Sequence, residues 1–286
     1  MDFTVENPGH GKLWNLECMT PVLRCCCMPG APIDDQARQL LAKVVPTSYC
    51  KYGSGVRKDT NFMTSLGSLR LQPPCSKAPC KRRKAGLLHL AQVQGSSQEG
   101  KNAIPETLMH KVFDSWVQKH HSAGSPKPTL VLLDVFAGFG SVGKAVRSHE
   151  QDILYVSNDI NKSRGADFHE DMRESSLVST CSLMLHHVLK DRPEFKSALP
   201  ELQAVALDSS GAGEDEKAKH FARLLRSHNV CVLVHMSPPC ETYSTASGNT
   251  HRDGGSVLPL SEKARQHDAM AGEMVASLKL MASATE

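Results

Sequence analysis

The sequence predicts an α/β fold with a doubly wound, mostly parallel sheet, and two observations carry that prediction. Near-continuous apolar runs stop abruptly at small or polar residues, as strands buried on both faces of a sheet do. Stretches with helical periodicity stand among them, and strands alternating with helices favour parallel pairing over an all-β arrangement.

Three runs set the strands. Phe3 to Val5 precedes Glu6-Asn7-Pro8, Leu130 to Phe136 precedes Ala137-Gly138, and Val230 to Met236 precedes Ser237-Pro238-Pro239-Cys240. The first is too short to assign alone. Between Pro105 and Lys119, Leu108, Met109, Val112 and Trp116 fall on one helical stripe, and Pro105 suits a first turn. A second helix is expected from Ser261 to about Ala282, with Ala264, Ala271, Val275 and Leu278 inward. His121 to Pro128 reads as a linker, with His120-His121 at its start, and Asp208 to Lys219 as a solvated insertion.

The chain has 286 residues and a net charge of +3, enough for one large domain or two small ones. No apolar run approaches the roughly 18 residues of a membrane helix, and Met1 to Glu6 lacks signal-peptide character, so an intracellular protein away from the membrane is expected. Ten cysteines, three of them adjacent at Cys25, Cys26 and Cys27, fit reduced thiols better than a disulfide framework. Charge is uneven. Residues 1–128 carry 17 Lys/Arg against 9 Asp/Glu, and residues 129–286 carry 16 against 21. The basic part is suited to face a polyanion, although solvated surfaces also carry such an excess.

After the run at 130–136 comes Gly138-Phe139-Gly140-Ser141-Val142-Gly143, with Asp159 about 20 residues on, after the apolar run Ile153 to Val156. Glycines admit a ligand close to the backbone, and a carboxylate takes ribose hydroxyls. A nicotinamide dinucleotide remains open on that pattern. Asp134 and Phe136 favour a ligand with a ribose, an adenine and an ammonium group but no diphosphate, namely S-adenosylmethionine.

Cys240 follows a buried strand through two prolines, so it is delivered to the carboxyl edge of the sheet, where ligands of open α/β sheets sit. Glu6 also follows an apolar run. A thiolate and a carboxylate together have a defined use on pyrimidines: sulfur adds to C6 of cytosine, the acid contacts N3 and the amino group, and C5 becomes nucleophilic.

Asp134-Val135-Phe136-Ala137-Gly138-Phe139-Gly140-Ser141 resembles the first motif of cytosine-5 DNA methyltransferases, Pro238-Pro239-Cys240 their catalytic motif, and Glu6-Asn7-Pro8 their Glu-Asn motif. The resemblance implies a Rossmann-like fold that methylates C5 of cytosine in DNA from S-adenosylmethionine. By it, Cys240 is the nucleophile and Glu6 its acid partner. Phe136 packs on adenine, Asp159 binds ribose and Asp171 meets the adenine amino group, with Asp134, Gly138, Gly140 and Pro238 also in the cofactor set. Tyr49 to Gly53 and Arg57 to Asn61 resemble a segment of the phage and algal-virus branch, and there Arg57 matches the arginine at the flipped base.

The order is rotated, as in the domains rearranged methyltransferases of plants: the Glu-Asn half spans 1–119, a linker 120–128, and the cofactor and cysteine half 129–286. Two readings of that order stay open, a circularly permuted enzyme or a piece of a tandem array in which Glu6 and Cys240 serve different sites. The usual Gln-x-Arg-x-Arg motif is absent, and Glu241-Thr242-Tyr243-Ser244 follows the cysteine where Gln-Pro-Phe-Ser is commoner. An RNA cytosine-5 methyltransferase and a non-catalytic nucleic-acid-binding remnant are the alternatives. Lys81-Arg82-Arg83-Lys84 reads as a nuclear import signal or a phosphate contact, against a solvated charge run. Cys75 and Cys80 have a spacing at the wide end for zinc, without an evident second pair, and no metal is expected.

Overall fold

The computed structural model describes residues 1–8, 12–16, 19, 42–54, 57–75, 103–121, 126–207, 213–239, 243, 250–252 and 258–283. Its centre is a six-stranded sheet formed by β1 (Asp2–Pro8), β2 (Lys43–Ser48), β3 (Asp59–Thr64), β4 (Thr129–Asp134), β5 (Ile153–Ser157) and β6 (Val230–Met236). Among the described residues six α-helices accompany it: α1 (Glu106–His120), α2 (Ser141–Arg147), α3 (Leu177–Leu189), α4 (Leu199–Leu207), α5 (Glu214–Ser227) and α6 (Glu262–Ser283). The strand order is β2-β3-β1-β6-β4-β5. β1, β6, β4 and β5 run parallel, and β3 lies antiparallel between β1 and β2. Strands from residues 1–119 and from 129–286 thus share one sheet, joined where Asp2 to Val5 pair with Leu233 to Met236.

The apolar runs follow from burial on both faces. Along β4, Leu130 and Leu132 join the core under α1 and α2, while Val131 and Leu133 join the larger core under α3 to α6. Each such side chain contributes roughly 2 kcal/mol by leaving water. The expected stripes of α1 and α6 are buried throughout: Leu108, Met109, Val112 and Trp116 in one, Ala264, Ala271, Val275 and Leu278 in the other. α6 begins where predicted because Ser261 Oγ accepts from the Ala264 amide at 3.1 Å, closing its first turn. No described helix is long and apolar enough to cross a membrane.

Three local expectations change. The run at 130–136 stops being a strand at Asp134, and Val135 and Phe136 turn out of the sheet. Within the expected insertion, Gly213 to Lys219 instead caps and begins α5: Glu214, Asp215 and Glu216 suit the positive end of a helix, and Lys217 and Ala218 are buried. Residues 208–212 of that stretch lie outside the described residues. His120 closes α1 and binds Asp2 Oδ2 at 2.6 Å, an anchor between helix and strand, not a linker residue.

Candidate active site

Because β1, β4, β5 and β6 are parallel, their carboxyl ends meet at one edge. The chain runs from β4 outward to β5 and returns to β6 on the other side of β4, and that reversal leaves a crevice. A cleft of about 580 Å³ opens there. Glu6, Phe136, Gly138, Asp159, Asp171 and Pro238, all expected site residues, line it. Cys240 lies outside the described residues, but Pro239 before it lines the same cleft.

The glycine loop is shaped by backbone need. Gly138 and Gly140 take positive φ, at 54° and 69°, which side-chain-bearing residues adopt at a cost. Gly143 is required for a different reason: a Cβ there would stand 2.8 Å from the Tyr155 ring. Asp159 Oδ2 accepts from the Gly138 amide at 2.8 Å, and Oδ1 from the Asn161 amide at 2.8 Å. Arg164 also reaches Oδ2, at 3.3 Å, and lies 4.8 Å above the Phe139 ring. A ribose hydroxyl would therefore compete with Arg164 for Asp159. Asp171 is paired with Arg173, whose hydrogen bonds hold the carboxyl below its ordinary range.

Asp134 and Gly140 do not line the cleft. Asp134 sits on the α1/α2 face of β4, the face of Leu130 and Leu132, because side chains alternate along a strand. It is fully buried, accepts from Tyr155 Oη at 3.0 Å, and its Oδ1 has no partner among the described residues. Burial pushes its carboxyl up to about 7, against the Tyr155 hydrogen bond and with help from the Asp159 charge. Gly140 instead stands immediately before α2 as its N-cap.

At the other end of the cleft Glu6 is enclosed. Its Oε1 accepts from Tyr49 Oη at 2.8 Å and Thr60 Oγ1 at 2.5 Å, with Lys58 Nζ at 3.3 Å, and its Oε2 accepts from Ser237 Oγ at 3.0 Å. Burial alone would raise its pKa. The Lys58 charge outweighs that, with the hydroxyls of Thr60, Tyr49 and Ser237, and Glu6 is held below its ordinary range as a carboxylate. Asn7 Nδ2 donates to the Pro238 carbonyl at 3.3 Å, so the Glu-Asn and proline segments, some 230 residues apart, are directly bonded.

Arg57 is not brought to Glu6. Its guanidinium is committed to Asp59 through Nε at 3.1 Å and a terminal nitrogen at 2.7 Å. The β2/β3 ladder continues one step through Tyr49 N to Lys58 O at 3.0 Å, and alternation along such a segment turns neighbouring side chains apart. Lys58 takes the inward place, over the Tyr49 ring at 4.9 Å. Lys58, Tyr49, Thr60, Ser237 and His235 were not singled out from sequence. Tyr49, Lys58, Thr60 and Ser237 stood in noticed segments, but only the β1/β3 register, which sets Thr60 opposite Pro8 on the Glu6 face of β1, brings Thr60 to Glu6.

The remaining candidates lie elsewhere. Cys75 is a buried thiol packed against Cys50, and Cys80 and Lys81 to Lys84 are outside the described residues. Among the described residues no group of three or more side chains is arranged to hold a metal ion. The chain matches no protein-family model, no curated protein and no solved structure.

Proposed function

We propose that this chain transfers the methyl group of S-adenosylmethionine to C5 of cytosine in DNA, in a Rossmann-like domain of circularly permuted order. The observation that carries the reading is the convergence in one cleft of Glu6, the proline turn leading to Cys240, and the glycine loop with Asp159. This convergence also favours a single site over a tandem array that places Glu6 and Cys240 apart.

The cofactor end suits an adenosyl group: Phe136 and the half-exposed Ile160 offer apolar surface, and Asp159 and Asp171 offer acceptors. S-adenosylmethionine supplies an electrophilic methyl. At the other end the Cys240 thiolate adds to C6 of a cytosine swung out of its helix as N3 takes up a proton from solvent, and the Glu6 carboxylate accepts from that N3–H and from the amino group. C5 then takes the methyl group, its proton leaves to a base, and the electrons of the C5–H bond restore the double bond as sulfur departs. Lys58 balances the charge on Glu6 through these changes. The basic composition of residues 1–128 supports a polyanionic substrate.

Incubation with methyl-labelled S-adenosylmethionine and mixed DNA and RNA, followed by mass spectrometry of nucleosides, tests the reading. Labelled 5-methyldeoxycytidine is expected. Label in 5-methylcytidine instead would make the substrate RNA, and DNA binding without any label would make the chain a non-catalytic binder.

A further inference from the structure

We propose that Thr4, His235 and Ser237 form a one-directional hydrogen-bond chain that fixes the Glu6 carboxylate, with His235 a positioning residue locked in one tautomer. The inference rests on the reading above only in taking Glu6 as a catalytic group.

The direction of the chain follows from what each atom can do. An ionised carboxylate only accepts, so Ser237 Oγ–H donates to Glu6 Oε2 at 3.0 Å. Ser237 Oγ also faces His235 Nε2, at 3.4 Å, but the charge-assisted and shorter bond takes its single proton. Only lone pairs of Ser237 then remain for the ring, so Nε2 carries the hydrogen. His235 is completely buried, and burial lowers its pKa to about 4 against the pull of the Glu6 charge, so the ring is neutral and has one N–H. Nδ1 is therefore bare and accepts from Thr4 Oγ1 at 2.9 Å.

The sheet builds this chain. Thr4 and His235 are register partners across the parallel β1/β6 pair, and both are shut off from water. No solvent is at hand to satisfy the ring in another tautomer. Ser237 thus has its donor direction set from behind, and Glu6 Oε2 keeps one lone pair for a donor on the bound base. Because Ser237 also begins the proline turn to Cys240, one hydroxyl couples the carboxylate to the backbone that carries the nucleophile.

Nitrogen-15 NMR of the histidine-labelled full chain reads the tautomer without any need for activity. The His235 resonances should show a protonated Nε2 and a bare Nδ1 at neutral pH; the opposite tautomer or a doubly protonated ring would overturn the proposal. Thr4→Val, close in shape and suited to a strand, should leave Nε2 protonated, since Glu6 and Ser237 dictate that, but should shift the Nδ1 resonance by removing its donor. In covalent trapping on 5-fluorocytosine DNA it should slow adduct formation about 2- to 10-fold, the worth of one hydrogen bond, with KM for DNA unchanged. Ser237→Ala should slow trapping as well, and Ser237→Thr, which keeps the hydroxyl, should restore it. If the parent forms an adduct and Thr4→Val changes neither the Nδ1 resonance nor the rate, the chain has no positioning role. If the parent forms none, the proposed chemistry fails, and the resonances alone decide on the chain.

Discussion

Lys58 and Arg57 are adjacent cations with different duties, and which of them serves Glu6 is a matter of strand geometry. Lys58→Met leaves a buried carboxylate without its cation, which should cost about 3 kcal/mol in stability and slow any chemistry that needs Glu6 ionised. Arg57→Met removes the more exposed member of the Arg57–Asp59 pair at the edge of the fold, where solvent screens the charges, and should cost under about 1 kcal/mol. Denaturant unfolding of the two variants checks the difference, and equal losses would return Arg57 to the site. Asp134 gives a pH signature. Its folded pKa of about 7 stands above the ordinary 3.8, so between these values the folded chain holds a proton that the unfolded chain has released. Its contribution to stability is complete below about pH 4 and is lost as pH rises toward 7. His235, whose folded pKa is depressed, tilts stability the other way over about pH 4 to 6.5, so the two partly offset each other in the parent. The advantage of Asp134→Asn over the parent should therefore grow from pH 4 to 7 and level off above. Melting curves across that range measure it, and a constant difference would mean that Asp134 is ionised when folded. Asp134 was legible in the sequence as an acid at a strand end. Its orientation away from the cleft was not, because that depends on where the alternation of β4 falls relative to its end.

The elements that were readable are those with long, strict periodicity. α1 and α6 bury the residues their stripes predict, and β4 and β6 are apolar because helices cover both faces of the sheet. α5 was obscured by its own beginning: Glu214, Asp215 and Glu216 resemble a solvated run by composition, and only their place at a helix N-terminus gives them a role. β2 and β3 carry mixed residues, and their assignment follows from β3 pairing with β1 and β2 with β3, contacts between separated segments that no local pattern reports. The glycine loop shows how an element is tied to its neighbour. Gly143 lets α2 lie flush on Tyr155, whose hydroxyl holds Asp134. Gly143→Ala should force the ring aside and cost roughly 1 to 3 kcal/mol, an overpacking penalty. A lower melting temperature is expected, and Gly143→Ala should be milder in a Tyr155→Val background, where the ring is gone. An equal penalty in both backgrounds would place the constraint in the backbone instead.

At the scale of the molecule, the motif order and the strand order can be compared directly. β1 lies parallel to β6, and Met1, Leu280 and Met281 border the same core. A short flexible link from residue 286 to residue 1 would make β6-α6-β1 an ordinary crossover unit, and opening the chain near Gly124 would fall between α1 and β4. That rearranged chain should fold with a melting temperature near the parent's, as circular dichroism would show, whereas aggregation of it beside a soluble parent would contradict the permutation reading. The three motifs were legible in the sequence, but the meeting of Glu6, the glycine loop and Pro238-Pro239 in one cleft was not, since it depends on a parallel pairing between strands some 230 residues apart. The proposed chemistry turns on Cys240. Fluorine at C5 cannot leave as a proton, so under the proposed chemistry DNA containing 5-fluorocytosine should be caught on the chain after methyl transfer. The proposed chemistry requires an adduct stable to denaturing electrophoresis that needs S-adenosylmethionine, disappears in Cys240→Ser, persists in Cys231→Ser, and forms about 100- to 10,000-fold more slowly in Glu6→Gln. Methylation of DNA without a Cys240-dependent adduct would contradict it and point to transfer onto an amino group instead.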